Sequence, residues 1–237
     1  MKSPTQRPAL LQELKNYLLF LKDYGYTEIP QLTELNLDAS KKTVKSATQN
    51  NPGRLQDVRE ELGDCSRCKL SEGRNKIVFG SGNPNADLVF VGEGPGKDED
   101  EQGFPFVGRA GKKLTEIIEK GMGLNREQDT YICNIVKCRP PANRDPESDE
   151  ISACKPFLLK QLQAIRPKVI VALGKPASST LLGRNVPITK ERGTWHEFEG
   201  IKLMLTFHPA YLLRFYTVEN RKAIHDDMKK VLEVLGK

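Results

Sequence analysis

Four short apolar runs alternate along this chain with longer stretches whose apolar residues recur at helical spacing. The runs have the length and composition of buried strands, and they cover residues 86–91, 131–136, 168–173 and 201–207. The helical stretches cover residues 110–122, 146–165, 175–182 and 219–235. Strands separated by helices pair in parallel, because each crossover returns the chain to the same edge of the sheet. The sequence therefore predicts an α/β fold, a three-layer α/β/α sandwich with a short, mainly parallel central sheet.

Two local signals refine this pattern. Residues 195–198 and the last apolar run flank Glu199-Gly200, which predicts an antiparallel hairpin. Asp145 precedes Pro146, and this order predicts a helix capped by Asp145 with proline at its first position.

The N-terminal part of the chain has a different composition. Residues 8–24 carry leucines at three- and four-residue steps, which predicts an amphipathic helix. Residues 38–53 are rich in Ser, Thr, Asn and Lys and end in Pro-Gly, as linkers do. We expect residues 1–53 to form a helical extension plus linker. Residues 54–237, which start with a short helix, should form the functional domain.

Composition excludes several classes of protein. No stretch reaches the roughly 18 uncharged apolar residues of a transmembrane helix, and Lys15 and Lys22 interrupt the Leu-rich start. We therefore expect a cytoplasmic protein without a secretory signal. The net charge of +6 permits a nucleic-acid partner without requiring one. Five cysteines in a reducing compartment favour a metal site over a disulfide framework.

The cysteines divide into a group of four and a single residue. Cys65 and Cys68 form a CxxC pair after a predicted helix, and Cys138 and Cys154 follow far downstream. Four thiolates suit either tetrahedral zinc or an iron–sulfur cluster, and their spacing leaves both open. Cys133 lies inside an apolar strand, so we predict a small core residue there.

A glycine-rich turn, residues 92–96, follows the first predicted strand. The phosphate-loop pattern fails at Val91 and Asp98, and the dinucleotide-binding pattern fails at position 97. What remains is a tight turn with exposed amides and two acidic side chains, Glu93 and Glu99. Such amides bind an anion or a carbonyl oxygen, although solvated acids in an ordinary turn would give the same pattern.

Chemistry-bearing residues follow three of the predicted strands. They are the turn after residue 91, the Asn134-to-Cys138 region and His208-Pro209. Ligands of open α/β sheets bind at the carboxyl ends of the strands. We therefore expect the three groups to meet in one cleft.

Three long segments resemble the signatures of the iron–sulfur uracil-DNA glycosylases, usually called family 4. They are GEGPGKDEDEQGFPFVGRAG, YICNIVKCRPPANRDP and HPAYLLR, in the order in which that family has them. The resemblance extends from about Cys65 to Lys230. It implies an enzyme that flips uracil out of DNA and hydrolyses its glycosidic bond. The product would be an abasic site, the first intermediate of base excision repair.

The resemblance also implies a cofactor and a set of site residues. It assigns Cys65, Cys68, Cys138 and Cys154 to a [4Fe–4S] cluster with a structural role, and so favours the cluster over zinc. The implied uracil-binding residues are Gly94, Phe106, Asn134 and His208. In that family Phe106 would stack on the base, Asn134 would pair with its edge, and His208 would hydrogen-bond the developing uracil anion. Relatives outside family 4 carry an Asp where this chain has Gly94, so Glu93 and then Glu99 are the candidates for the water-positioning carboxylate.

DNA contacts follow from the same resemblance. Leu213 and Arg214 match the loop that the superfamily presses into the minor groove, and Arg144 and Lys175 are predicted to contact DNA as well. Further cations around the cysteines are predicted to face DNA: Lys69, Arg74, Lys137 and Arg139. We expect a monomer that works at the nucleoid. Residues 1–53 could be a tethered accessory, a helix that docks a replication or repair protein, or a cover over apolar surface.

Two binding-only alternatives compete with this hypothesis. One is a glycosylase-like iron–sulfur module that binds DNA or a replication partner without catalysis. The other is a zinc-stabilised nucleic-acid-binding domain. The joint presence of Glu93, Phe106, Asn134 and His208 favours the enzyme over both.

Overall fold

The computed structural model of the protein describes residues 52–237. The amphipathic helix predicted at residues 8–24 and residues 38–51 of the linker predicted at 38–53 lie outside the described residues, and the last two positions of that linker belong to the first helix below. In the part of the chain that is described, no helix combines the length and the apolar character needed to cross a membrane.

A six-stranded sheet forms the centre of the described residues. Its strands are β1 (Ser81–Gly82), β2 (Leu88–Gly92), β3 (Thr130–Asn134), β4 (Val169–Leu173), β5 (Trp195–Phe198) and β6 (Ile201–Thr206). They lie in the order β1-β3-β2-β4-β6-β5. β2 pairs in parallel with β3 and β4, and β4 with β6, whereas β1 and β5 add antiparallel edges. The predicted mainly parallel sheet is confirmed, and β1 is too short to leave a periodic pattern.

Helices of very different length connect these strands. They are α1 (Pro52–Leu62), α2 (Leu70–Gly73), α3 (Lys97–Gln102), α4 (Arg109–Glu116), α5 (Arg126–Asp129), α6 (Ser148–Ile165), α7 (Gly174–Leu182), α8 (Ile188–Glu191), α9 (Pro209–Arg214) and α10 (Val218–Leu235). α4 continues directly into a π-helical turn, Ile117–Gly121, so together they account for the helix predicted at 110–122. A short 3₁₀ turn, Pro141–Asn143, precedes α6.

The central strands β2, β3 and β4 are buried on both faces, and so is most of β6, which gives the described residues three layers. Val89 and Val91 belong to one core, with residues of α1, α6 and α7. Leu88 and Phe90 belong to the second core, with residues of α4, α9 and α10. A strand that is covered on both sides is apolar throughout, which explains why the strands appear in the sequence as continuous runs. Cys133 has no exposed surface and lies in the first core, as predicted.

Two local predictions have different outcomes. The hairpin between β5 and β6 is confirmed, since Glu199 and Gly200 both have positive φ angles, 51° and 77°, as a two-residue hairpin turn requires. The predicted start of α6 is wrong. Glu147 is the N-cap, because the Glu150 carboxylate accepts its backbone N–H at 2.7 Å and closes a capping box. Asp145 lies before the helix and does not cap it.

A buried carboxylate fastens α10 to the sheet. Asp227 is fully buried, and its Oδ2 accepts hydrogen bonds from Thr206 Oγ1 at 2.6 Å and from Arg192 Nε at 2.9 Å. A second Arg192 nitrogen bonds Oδ1, which makes the ion pair bidentate. Removing one partner of such a pair leaves the other charge without compensation.

We expect Asp227→Ala to lower the free energy of unfolding by about 2–4 kcal/mol, because Arg192 and Thr206 lose their common acceptor. Urea denaturation at neutral pH measures this change. Asp226→Ala is the matched control, since Asp226 is exposed on the same helix and should change stability by less than about 0.5 kcal/mol. Equal effects of the two substitutions would contradict the role given to the buried pair.

Candidate active site

A cavity of about 460 Å³ opens at the carboxyl ends of β2, β3 and β6. Its walls come from the three strand-end segments that the sequence pattern places together. The lining residues are Glu93, Gly94, Pro95, Gly96, Glu99, Phe106, Ala110, Asn134, Pro140, Asn143, Arg144, Asp145, Pro146, His208, Ala210 and Arg214. The predicted convergence on one cleft is therefore observed. Leu213 and Lys175 do not line the cavity; both are exposed, Leu213 at the end of α9 and Lys175 at the start of α7.

Asn134 lies at the end of β3 with 1% of its surface exposed. Neither Oδ1 nor Nδ2 of its amide has a hydrogen-bond partner among the described residues. A buried amide without partners costs about 1–3 kcal/mol, so such a group is retained where a ligand completes its bonds. The Asn134 side chain thus presents one donor and one acceptor to the cavity.

Gly92 gives Asn134 the space that it needs. The two residues are register partners in the β2–β3 pair. A Cβ atom on Gly92 would lie 2.4 Å from Asn134 Oδ1 and 2.6 Å from Cζ of Phe106. Real Cβ atoms do not approach other atoms this closely, so glycine is required here for the amide and the aromatic ring to share one wall.

Phe106 forms the aromatic part of that wall. Its ring centroid lies 5.6 Å from that of His208, with 34° between the ring planes. Phe106 has a φ of 53°, a conformation that a bulky side chain rarely adopts. The carbonyl of Phe106 also packs on Gly111, where a Cβ atom would lie only 1.9 Å away. The surrounding loop therefore holds the ring in a strained but fixed position.

Glu99 stabilises this loop. Its Oε1 accepts the backbone N–H groups of Val107 and Gly108, each at 2.9 Å, and its Oε2 accepts that of Gly96 at 3.1 Å. Three bonds from amides on both sides of Phe106 occupy the carboxylate. Glu99 therefore links the glycine-rich turn to the Phe106 loop through hydrogen bonds to the backbone of both.

His208 is the N-cap of α9 and is held as a neutral ring. Burial, together with the charge of Arg214, lowers the pKa of His208 to about 4. Its Nδ1 accepts the backbone N–H of Ala210 at 3.1 Å. A neutral imidazole whose Nδ1 accepts must carry its proton on Nε2. His208 therefore offers an uncharged Nε2–H donor.

Glu93 has the most perturbed carboxyl group of the cavity. Burial, and then the nearby Asp145 carboxylate, raises the pKa of Glu93 to about 7. Its Oε1 has no hydrogen-bond partner among the described residues. A carboxyl group that titrates near neutrality in a cavity is suited to accept and release protons.

Arg144 lines the cavity, but its charge is already shared. Its two terminal nitrogens bond the buried Glu150 carboxylate at 2.8 and 2.6 Å, and one of them lies 3.2 Å from Glu147. Lys69 pairs with the same acidic group, at 2.6 Å from Glu147. These ion pairs brace the loop before α6 and leave Arg144 only partly available to a further anion.

The four predicted ligand cysteines come together on the other side of β3. Cys65, Cys68, Cys138 and Cys154 line one small cavity, and all are free thiols. Burial raises the pKa of the Cys138 thiol to about 11, and Arg74 opposes that shift. Among the described residues, no group of three or more His, Cys, Asp or Glu side chains has the spacing that a single metal ion needs.

Two cations that were predicted to face DNA instead surround these thiols, so that part of the prediction is wrong. Lys137 is 1% exposed, and its Nζ donates to the carbonyl of Asn134 at 2.6 Å. The Arg74 side chain is 9% exposed, with Nη1 at 3.6 Å from the Cys138 sulfur. Arg67 contributes a third positive charge, a guanidinium 3.2 Å from the sulfur of Cys65. Positive groups around four thiols match the negative charge that a thiolate-bound cluster carries, so these residues fit such a group.

Sequence reasoning missed one charged group of the cavity. Asp145 lies beside Glu93, where we expected only a helix cap. Its position in the segment RPPANRDP, directly after a strand-end motif, is the signal that could have identified it. The close approach at Gly92 likewise becomes visible only once β2 and β3 are in register.

Comparison with known proteins identifies relatives over most of the chain. The family described as the Uracil DNA glycosylase superfamily matches residues 79–233. The type-4 uracil-DNA glycosylase of Thermotoga maritima is 47% identical over 185 residues, 77% of this chain and 95% of that protein. Its counterpart in Archaeoglobus fulgidus is 42% identical over 191 residues, 77% of this chain and 94% of that protein. The type-5 uracil-DNA glycosylase of Pyrobaculum aerophilum is 29% identical over 147 residues, 55% of this chain and 64% of that protein.

The raised pKa of Glu93 predicts a pH-dependent cost to stability. The folded state holds the proton up to about pH 7, whereas the unfolded chain releases it near its ordinary pKa, 4.5. Folding stability therefore falls as pH rises through this window. We expect Glu93→Gln to be more stable than the wild type by about 1–3 kcal/mol near pH 8, and by much less near pH 4.

Chemical denaturation at both pH values measures this difference. Glu119→Gln, at an exposed glutamate, serves as the control and should stay within about 0.5 kcal/mol of the wild type at either pH. A Glu93→Gln variant that is equally or less stable than the wild type near pH 8 would show that the ionised Glu93 carboxylate does not destabilise the folded state.

Proposed function

The chain belongs to the uracil DNA glycosylase superfamily and, within it, to the type-4 uracil-DNA glycosylases, and from this premise we propose how its cavity acts. The protein is a DNA glycosylase that hydrolyses the bond between uracil and its deoxyribose and leaves an abasic site. The names of its relatives do not favour the alternative of a binding-only module. The observation that carries the proposal is the buried, unpartnered amide of Asn134 at the carboxyl ends of the strands.

Asn134 recognises the base. Uracil presents a carbonyl acceptor at O4 and an N–H donor at N3, and the Asn134 amide offers one donor and one acceptor. Cytosine has an amino donor at position 4 and no proton on N3, so it is opposed at both positions when the amide is oriented to pair with uracil. A buried polar site rejects an analogue that cannot complete its bonds. Phe106 supplies the face on which the flipped base stacks.

His208 stabilises the leaving group. As the N1–C1′ bond breaks, its electron pair moves onto uracil and negative charge develops on the ring, including O2. The neutral imidazole of His208 donates a hydrogen bond from its Nε2–H to that charge and carries no positive charge itself. The turn around Gly94 lines the same cavity, and its backbone N–H groups would add further dipoles. Removal of one such donor typically lowers the rate by about 10²–10³.

Glu93 acts on the water. A water molecule adds its oxygen to C1′ of the cationic sugar, and its proton passes to the Glu93 carboxylate. The raised pKa of Glu93 suits this acceptance at neutral pH, and its free Oε1 has no competing bond among the described residues. Glu99 is the second candidate, but its carboxylate already accepts three backbone N–H groups. We therefore assign to Glu93 the role of accepting the proton of the water, and to Glu99 the role of holding the Phe106 loop in place.

Residues at the rim hold the DNA. Leu213 is 37% exposed at the end of α9, where it can fill the space left by the flipped nucleotide. Arg214 follows at the mouth of the cavity and can pair with a phosphate. Arg144 and Lys175 supply further positive charge, Arg144 only in part because of its pairing with Glu150. The enzyme then acts where its substrate is, at the nucleoid in the cytoplasm. A protein partner for residues 1–53 stays a prediction.

The four cysteines hold a [4Fe–4S] cluster with a structural role. When bound, the cluster supplies iron–thiolate bonds that tie the Cys65–Cys68 segment to Cys138 and Cys154. Lys137 connects this site to the cavity, because its ammonium bonds the Asn134 carbonyl and its charge acts on Cys154. Through Lys137, the four cysteines with a bound cluster would help to hold the backbone that carries the base-recognising amide.

Excision of uracil from a single-uracil oligonucleotide, followed by alkaline cleavage, tests the function directly. We expect Glu93→Gln to lower the rate by about 10²–10⁴ because the water loses its proton acceptor. The wild-type rate should rise with pH through about 7, where Glu93 ionises, and the variant should lose that rise.

Glu99→Gln separates the two carboxylates. It should lower the melting temperature, because Val107 and Gly108 lose a charged acceptor, and it should keep the pH dependence near neutrality. Near-wild-type rates in both variants would contradict the carboxylate role. Absence of strand breaks with the wild type would contradict the function itself.

Retention of iron tests the cysteine site. We expect Arg74→Gln to lose iron to a chelator about tenfold faster than the wild type, because the thiolate charge loses a buried cation. Iron content per chain and visible absorbance measure the loss. Arg184→Gln is the control, since Arg184 is also ion-paired but with Glu191, away from the thiols. Equal iron loss in both variants would show that Arg74 does not support the cluster.

A further inference from the structure

An exposed apolar segment continues from the rim of the active site. The described residues include six large hydrophobic side chains that are exposed, and four of them fall between positions 213 and 218. Leu213 is the residue proposed above to fill the space left by the flipped nucleotide. Beyond it, Phe215 is 53%, Tyr216 60% and Val218 64% exposed. Clustered exposure of this kind marks an interaction surface.

The ring of Phe215 is held in place from below. Phe207, Tyr211 and Phe215 form a row, with ring centroids 4.4 Å apart in the first pair and 4.9 Å in the second. The row runs from the buried end of β6 along α9 to the surface. The outermost ring is therefore fixed on one side and open to solvent over most of the other. A further flat ring would extend the row at little entropic cost.

The ring of Tyr216 makes cation–π contacts with two positively charged side chains. Lys113 Nζ lies 5.2 Å from its ring centroid, and the guanidinium carbon of Arg221 lies 5.0 Å from it. Arg221 has no ion-pair partner within residues 52–237, whereas Lys113 also pairs with Glu116. Lys120 lines the same groove beside Tyr216 and adds another positive charge. Aromatic rings interleaved with cations suit a polyanion that also carries flat bases.

We propose that Phe215 and Tyr216 form a platform for unpaired DNA bases flanking the uracil, with Arg221 and Lys113 on the adjoining phosphates. The inference rests on the proposed function, since the platform begins directly after Leu213 and Arg214 at the mouth of the cavity. Bases in a duplex already stack on their neighbours, so the open rings favour single-stranded substrate. The positive charge selects DNA over an apolar protein surface.

Binding to a single-stranded oligonucleotide that carries a non-hydrolysable 2′-fluoro-deoxyuridine tests the platform. Fluorescence anisotropy should show that Tyr216→Ala and Phe215→Ala each weaken binding at least about fivefold. Tyr216→Phe should restore binding to near the wild-type value, because it keeps the ring. Arg221→Gln should reduce the slope of log affinity against log salt by about 0.7, the value for one phosphate contact on a single strand.

Two comparisons make the test specific. Trp195→Ala is the matched control, because Trp195 is exposed on the edge strand β5 with Lys202 5.8 Å from its ring centroid, and it should leave binding unchanged. With the same oligonucleotide in a duplex, Tyr216→Ala should change affinity by less than about twofold, since no unpaired base reaches the ring. In uracil excision from single strands, the variant should raise KM and leave kcat unchanged.

The outcomes separate this inference from the proposed function. Wild-type excision together with unchanged single-strand affinity in Tyr216→Ala and Phe215→Ala would overturn the platform and leave the function standing. A chain that binds single strands through Tyr216 but excises no uracil would support the platform and contradict the function. An equal loss in Trp195→Ala would also overturn the platform.

Discussion

The parallel register between β2 and β3 is the constraint on which the site depends. It places Gly92 opposite Asn134 at the last pair of the ladder, where both strands end. Because Gly92 has no side chain, the Asn134 amide and the Phe106 ring occupy the space above it. A shift of one residue would turn Asn134 toward the opposite face of the sheet. The apolar cores on both faces fix the register, so the packing of the whole domain determines where one amide points.

The cavity concentrates features that cost stability. An amide lies buried without partners at Asn134, Glu93 is partly buried with the Asp145 carboxylate nearby, and Phe106 has a positive φ. Each costs on the order of 1–3 kcal/mol, and none would be retained by a domain selected only for folding. The rigid sheet beneath them makes these costs tolerable. His208 follows the same logic, since burial keeps it neutral and ready to donate to a forming anion.

The sequence predicted the larger part of this structure because the relevant signals are local. Continuous apolar runs identify β2, β3, β4 and β6, and the turn residues identify the hairpin. The order of strand-end motifs was enough to predict one cleft. The direction of charged side chains was not, because it depends on contacts between distant segments. Lys137 points to Asn134 and the thiols, and Arg74 points to Cys138, although both were predicted to face DNA. The same limitation hid the three amide bonds of Glu99.

Lys137 connects the proposed base pocket to the four cysteines. Only three residues separate Asn134 from Cys138, and beyond the end of β3 backbone hydrogen bonds still join this segment to Gly92, Glu93 and Val78. The Lys137 ammonium closes that segment by bonding the Asn134 carbonyl, and it does so in a fully buried position. A buried ammonium needs negative charge nearby, and the neighbouring thiols provide it only as thiolates. A cluster bound by those thiolates would therefore stabilise Lys137, and Lys137 would in turn hold the backbone of Asn134. In the proposed mechanism, the cysteines would thus contribute to uracil excision through the position of one hydrogen-bonding amide.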